Sequence, residues 1–254
     1  AQESRGLGDV YKRQVFERAR AEGRPTFAVG VAAYAASGFT RATLRGAEFV
    51  AAQTPAERVE VAYDLAESHP GSLIYCYLPE ADKAGHRYGL DSVQWVSALE
   101  EIDAALSRRV PPGVGVLVTS DHGMVDVPVH RQVVLEAEHL DGVRHIGGEP
   151  RMLHVYVEPD ADAAVVAERW RRDLEGLADV GTGQEAIASG FFGPEVTSAA
   201  ATRIGDVLVV ARGNGAVYDG TAADQRGRGM IGQHGGLTPE ERQVPLLRFG
   251  AFAR

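Results

Sequence analysis

The sequence contains only one cysteine, Cys76, among its 254 residues. A single cysteine cannot form an intrachain disulfide, and it excludes zinc knuckles and iron–sulfur sites that are built from several thiolates. A metal bound by this protein must therefore be held by histidine and carboxylate side chains.

An excess of basic residues is also missing. The chain has 26 Lys and Arg against 35 Asp and Glu, which gives a formal net charge of −9. A nucleic-acid-binding or membrane-surface protein needs a basic face. The charge balance therefore argues against both classes.

Long hydrophobic runs are missing as well. The longest, at 27–39, spans 13 residues and is rich in Ala and Gly, whereas a membrane-spanning helix needs about 20 apolar residues. No transmembrane segment is predicted. With 44% hydrophobic and 24% charged residues, the composition is typical of a globular protein that forms one large domain or two small ones.

The first fourteen residues show no apolar periodicity, and residues 9–14 (DVYKRQ) resemble the translated end of a cloning adaptor. We interpret 1–14 as a non-native scar or tail and 15–254 as the protein itself. On this interpretation the native N-terminus is missing. The absence of a signal peptide then indicates no compartment, and the cytoplasm is only slightly favoured.

From Val15 onward, short apolar runs alternate with helical patterns, which is typical of an α/β fold with a mostly parallel central sheet flanked by helices. A capping box with proline at the first helical position predicts a helix at 55–68. The order of strand, helix and strand between 72 and 119 predicts that its two strands, at 72–78 and 114–119, pair in parallel. The more varied region at about 143–210 is interpreted as a smaller inserted lobe of the same domain.

Polar clusters directly follow these two apolar strands. Asp82 and His86 come after the first, and Asp121 and His122 after the second. The carboxyl ends of parallel strands are where open α/β sheets place their ligands. A spacing of four residues puts Asp82 and His86 on one face of a helix. The adjacent pair needs a turn to point in one direction, and we expect Gly123 to provide it.

A third element is His234, which has glycines on both sides. A capping box at 238–241 follows it. Imidazole and carboxylate ligands without thiolate suit Zn best, with Mn or Fe as alternatives. Either cluster alone is more often an ordinary turn than a metal site. Together with His234, the two clusters favour a binuclear site that clamps the attacking and leaving oxygens of a phosphoryl displacement.

Three motifs in chain order resemble the type I phosphodiesterase/nucleotide pyrophosphatase family of the alkaline phosphatase superfamily: YLPEADKAGH at 77–86, TSDHGM at 119–124 and GQHG at 232–235. The resemblance implies an alkaline-phosphatase-like fold and hydrolysis of phosphodiester or nucleotide pyrophosphate bonds through two zinc ions and a covalent phospho-enzyme. It also implies that Asp82, His86 and His234 bind one zinc, while Asp121 and His122 bind the other.

The same family completes the second zinc site with an Asp and attacks phosphorus with a Thr or Ser. Both precede the motifs found here, so we expect them upstream of Val15. Thr54 is explained as a helix cap, and Thr40 and Thr43 lie in an Arg-rich stretch without a partner base. No nucleophile is therefore assigned, and the chain is expected to be inactive by itself.

Two alternatives stay open. A phosphomonoesterase of the same superfamily fits because the residues that select the leaving group lie outside these motifs. A catalytically inactive, metal-binding fragment fits because no nucleophile is assigned. A phosphoglycerate mutase or sulfatase relationship fits the motifs less well. The expected partner is a small, nucleotide-like phosphorylated substrate, with no nucleic-acid-binding surface and no membrane segment.

Overall fold

The computed structural model describes residues 15–253. The predicted scar at 1–14 lies outside this part of the chain. None of the helices between residues 15 and 253 combines the length and the apolar character needed to cross a membrane.

The described helices are α1 (Val15–Ala21), α2 (Gly38–Thr43), α3 (Pro55–Ser68), α4 (Glu80–Tyr88), α5 (Val93–Leu106), α6 (Ala163–Asp173), α7 (Gly183–Ala188), α8 (Ser198–Ala201) and α9 (Pro239–Arg242). The described strands are β1 (Thr26–Gly30), β2 (Glu48–Ala51), β3 (Leu73–Cys76), β4 (Gly115–Thr119), β5 (Val125–Asp126), β6 (Gln132–Leu135), β7 (Val143–Glu149), β8 (Met152–Val157), β9 (Ala178–Thr182), β10 (Val207–Ala211), β11 (Ala216–Asp219), β12 (Gly232–Gln233) and β13 (Leu246–Gly250).

The chain divides into two compact units. Within the described residues, the first comprises 15–82, 96–118 and 246–253, and the second comprises 83–95 and 119–245. The fold is of the α/β class, as predicted.

The first unit contains a parallel sheet in the order β2-β1-β3. Strand β1 lies at its centre and is buried along its whole length. Helix α3 packs against β1 and β3. Its bounds match the prediction because the capping box is formed: the Thr54 side chain accepts from the Glu57 N–H, and the Glu57 carboxylate accepts from the Thr54 N–H.

The predicted direct pairing of the strands at 72–78 and 114–119 is wrong for the described residues. Strand β4 pairs with β13, whereas β3 pairs with β1. The crossover rule constrains the handedness of a connection, but the packing of the whole sheet decides which strands become neighbours. Strand β3 is also more exposed than a strand covered on both faces, since Tyr75 is 42% exposed.

The second unit is built around an antiparallel sheet in the order β7-β8-β10-β9. Helix α6 packs on this sheet, and Asp162 caps its N-terminus with a carboxylate that accepts from the Ala164 N–H at 2.8 Å. Val155, Val207 and Trp170 lie in the shared hydrophobic core. The region singled out at 143–210 supplies this sheet, but the unit continues beyond it on both sides.

Trp170 should be a main source of stability in the second unit. Its side chain is 1% exposed, and its indole N–H donates to the His139 carbonyl at 2.9 Å. We expect Trp170→Ala to lower the free energy of unfolding by about 3–5 kcal/mol, because it leaves a cavity and removes one of the two hydrogen bonds to the His139 carbonyl. Val165→Ala on the same helix is the control, since Val165 is 64% exposed. Denaturant unfolding that gave equal losses for both variants would contradict this packing.

Cys76 should react slowly with thiol reagents in the folded protein. Burial raises the pKa of its thiol to about 11, so the thiolate fraction at pH 8 is about 100-fold below that of an ordinary cysteine. Because the chain has no other cysteine, the release of thionitrobenzoate from Ellman's reagent reports on Cys76 alone. We expect fast reaction in guanidinium chloride and slow reaction in buffer. Equal rates in both would show that the thiol is not buried.

Candidate metal centre

Helix α4 carries Asp82 in its first turn and His86 in its last. Side chains four residues apart lie on the same face of an α-helix. The continuous helix therefore sets the position of Asp82 relative to His86.

Two hydrogen bonds join the end of α4 to the segment that leads to His234. The His86 carbonyl accepts from the Ile231 N–H at 2.8 Å, and His86 Nδ1 donates to the Gly232 carbonyl, also at 2.8 Å. A carbonyl oxygen can only accept, so Nδ1 carries the proton and the lone pair lies on Nε2. A backbone partner of this kind orients metal-binding histidines and determines which nitrogen binds the metal.

Close packing explains two glycines of the motifs. A β-carbon added at Gly85 would lie 2.6 Å from the sulfur of Met124, and one added at Gly232 would lie 2.4 Å from the same atom. The Met124 side chain could rotate away from either β-carbon, but a β-carbon at Gly232 would also lie 2.6 Å from the Gly85 carbonyl oxygen, and the helix backbone cannot move aside in this way. The glycines therefore let α4, β12 and the Met124 side chain meet.

Asp82, His86 and His234 come together in space. Each offers one ligand atom, and these atoms all lie within 4.8 Å of one another. The rings of His86 and His234 have centroids 5.1 Å apart. One carboxylate and two imidazoles match the donors of catalytic zinc sites, in which three protein ligands leave one position for water or substrate. The residues present thus fit a divalent ion.

The second predicted pair is only partly gathered around this group. The His122 ring stacks on His234 with centroids 3.5 Å apart. Its Nδ1 donates to the Gly123 carbonyl at 2.9 Å, which again leaves the lone pair on Nε2. The Asp121 side chain is 80% exposed, and its Oδ1 lies 3.7 Å from His122 Nε2. Neither residue belongs to the three-residue group found among residues 15–253.

Gly123 has a different role from the one predicted. The chain bends at Asp121, and the backbone of Gly123 does not have a positive φ. A β-carbon at Gly123 would lie 1.9 Å from the Glu240 carbonyl oxygen. The Gly123 N–H donates to the Glu241 carbonyl at 2.8 Å. Glycine is required because α9 approaches the backbone at this point.

A buried ion pair beside the centre was missed at the level of sequence. Arg151 and Glu241 are 0% and 3% exposed, and their side chains form two parallel hydrogen bonds of 2.9 and 2.7 Å. Burial raises the pKa of Glu241, but hydrogen bonds from Arg151, Thr238 and Gly236 outweigh it and hold the pKa below its usual value. The capping box already singled out Glu241, whereas no sequence pattern marks Arg151.

The three threonines considered as nucleophiles form local contacts in the first unit. Thr54 caps α3, and the Thr43 hydroxyl donates to the Phe39 carbonyl at 2.9 Å. The Thr40 hydroxyl accepts from Ser37 at 3.0 Å. Hydrogen bonds of this kind are common at the ends and in the interiors of helices.

The family model for type I phosphodiesterases/nucleotide pyrophosphatases matches residues 18–237. The chain belongs to this family. All three motifs lie inside the matched range. None of the curated proteins matches the sequence significantly.

Solved structures with the same fold come from bacteria and mammals. Phosphonoacetate hydrolase from Sinorhizobium meliloti, in complex with phosphonoformate, has a TM-score of 0.65 at 18% identity, with 92% of this chain and 67% of that chain covered. Murine ectonucleotide pyrophosphatase/phosphodiesterase 5, as an inactive threonine-to-alanine variant with AMP, has a TM-score of 0.62 at 16% identity, with 93% and 63% covered. The human protein of the same name has a TM-score of 0.64 at 13% identity, with the same coverage.

These likenesses support the fold and not a particular substrate, because the identities are low. The chain spans about two thirds of the length of each of these structures. Their common fold is that of alkaline-phosphatase-like hydrolases, as the motifs implied.

Replacement of any one of the three gathered residues should weaken zinc binding. We expect Asp82→Asn, His86→Ala and His234→Ala each to reduce the affinity at least about 100-fold, which is more than the loss of a residue outside the ligand set causes. The measurement is competition for Zn²⁺ with a coloured chelator. His145→Ala is the control, because His145 is exposed on β7. Wild-type affinity in all three variants would contradict the assignment of this centre.

Proposed function

We propose that this protein hydrolyses phosphodiester or nucleotide pyrophosphate bonds with the help of two divalent metal ions, with zinc as the best-suited ion. The proposal rests on one observation above all: Asp82, His86 and His234, which lie far apart in the chain, converge to within 4.8 Å. The family to which the chain belongs supports the same reaction class.

In this proposal Asp82, His86 and His234 hold one ion, while Asp121 and His122 contribute to the second. Asp121 Oδ1 and His122 Nε2 are 3.7 Å apart. Atoms at this separation can contact one zinc ion through bonds of about 2.0–2.2 Å. When bound by these residues, two ions would supply positive charge that stabilises the phosphoryl group during its transfer.

The proposed reaction proceeds in two steps through a covalent intermediate. A Thr or Ser hydroxyl loses its proton and its oxygen bonds to phosphorus, while the bond from phosphorus to the ester oxygen breaks and that oxygen takes up a proton and leaves with the alcohol or nucleotide. Water then attacks the phospho-enzyme, which releases the phosphoryl product and restores the hydroxyl. Thr40, Thr43 and Thr54 are not assigned as this nucleophile, since their side-chain oxygens serve local helix contacts.

The substrate in this proposal is a small, nucleotide-like phosphate ester. The family description includes nucleotide pyrophosphatases, and one structure with the same fold holds AMP. A phosphomonoesterase remains the competing interpretation. Because phosphonoacetate hydrolase has the same fold, phosphonoacetate belongs among the compounds to be tested.

Hydrolysis assays should separate these interpretations. With Zn²⁺ present, we expect the 254-residue chain to bind AMP but to hydrolyse bis(p-nitrophenyl) phosphate only near the background rate, because no nucleophile is assigned within it. Isothermal titration measures AMP binding, and release of p-nitrophenol measures turnover. We expect Asp82→Asn to lose the zinc-dependent AMP binding and His145→Ala to retain it.

Each other outcome has a distinct meaning. Stoichiometric diester turnover that Asp82→Asn abolishes would support the hydrolase and place the nucleophile within the chain. Preference for p-nitrophenyl phosphate or phosphonoacetate over the diester would replace the proposed substrate class. Failure to bind AMP in the presence of zinc would favour the non-catalytic interpretation.

A further inference from the structure

Helix α9 contacts both histidine loops of the candidate centre through one residue, Glu241. A carboxylate oxygen of Glu241 accepts from the Gly236 N–H at 2.8 Å, two residues after His234. The peptide oxygen of Glu241 accepts from the Gly123 N–H at 2.8 Å, one residue after His122. The side chain and the backbone of a single residue thus hold the two loops at the same time.

Arg151 holds this carboxylate in place from the opposite side. Its Nε and Nη2 donate to the two carboxylate oxygens at 2.9 and 2.7 Å, and its Nη1 donates to the Gly215 carbonyl. The Thr238 N–H and hydroxyl donate to the same carboxylate at 3.2 and 2.8 Å. A carboxylate with this many donors has one allowed orientation.

There is no room for the loops to move toward the pair. A β-carbon at Gly236 would lie 2.7 Å from the Glu241 carboxylate and 3.0 Å from Arg151 Nη2. At Gly123 the same test finds the α9 backbone at 1.9 Å. Both loops contact α9 through bare backbone, so a displacement of Glu241 is transmitted directly to the residues that follow His122 and His234.

We propose that Arg151 and Glu241 are positioning residues that hold the His122 and His234 loops in the arrangement required for metal binding. The inference rests on the function proposed above. Some residues orient the metal ligands without binding the metal themselves. Removing such a residue commonly lowers the metal affinity by about 10–100-fold. A pair that served only the stability of the fold would leave the metal affinity of a folded variant unchanged.

Glu241→Gln is the sharpest variant. Both carboxylate oxygens face only donors, so the amide NH₂ of glutamine must point at one of them and break that contact. We expect the zinc affinity of the folded variant to fall about 10–100-fold. In metal-free protein we expect faster amide hydrogen exchange at Gly123 and Gly236. Arg151→Lys keeps the charge but loses the two parallel bonds, so its losses should be smaller.

Val155→Ala is the matched control. Val155 is completely buried in the sheet of the same unit and belongs to its hydrophobic core. We expect it to lower the melting temperature without a change in zinc affinity or in exchange at Gly123 and Gly236. This comparison separates loss of stability from loss of positioning.

The outcomes distinguish this inference from the proposed function. If wild-type protein binds zinc and folded Glu241→Gln binds it equally well, the positioning role is overturned. If wild-type protein does not bind zinc, the proposed metal centre itself fails. Should Glu241→Gln not fold, Arg151→Lys decides: unchanged zinc affinity and unchanged exchange at both glycines overturn the inference.

Discussion

Arg151 and Glu241 impose the strictest physical constraint on this structure, because they are two opposite charges buried together. Loss of one partner from a buried pair generally costs about 3–5 kcal/mol, since the other charge is left without compensation. Their hydrogen bonds extend to the Gly215 carbonyl and the Gly236 N–H. The start of β8, the loop before β11, the His234 loop and α9 therefore cannot shift independently.

The histidine-bearing segments are held mainly by backbone contacts at glycines. At Gly232 the backbone of β12 lies against the Gly85 carbonyl of α4, and at Gly123 the loop after His122 lies against the Glu240 carbonyl of α9. Where backbones touch, side-chain flexibility does not loosen the arrangement. Backbone groups also orient the imidazole rings, because His86 and His122 both donate from Nδ1 to a backbone carbonyl.

Fold and reaction are separate conclusions for this protein. Structures with the same fold include a phosphonoacetate hydrolase and nucleotide pyrophosphatases/phosphodiesterases, and a shared fold commonly supports different reactions. The metal-binding chemistry that we propose would belong to Asp82, His86 and His234, whose ligand atoms lie within 4.8 Å of one another. The choice of leaving group depends on other side chains, which the motifs do not include.

Local features could be predicted from the sequence because their causes lie a few residues apart. The capping box at Thr54 correctly predicted α3, and the spacing of Asp82 and His86 placed both on one helix. The order of the motifs was enough to indicate the family. Only the tertiary structure decided that β4 pairs with β13 and that Arg151 reaches Glu241. Those contacts join residues far apart in the chain, and they depend on the packing of the whole fold rather than on periodicity or capping.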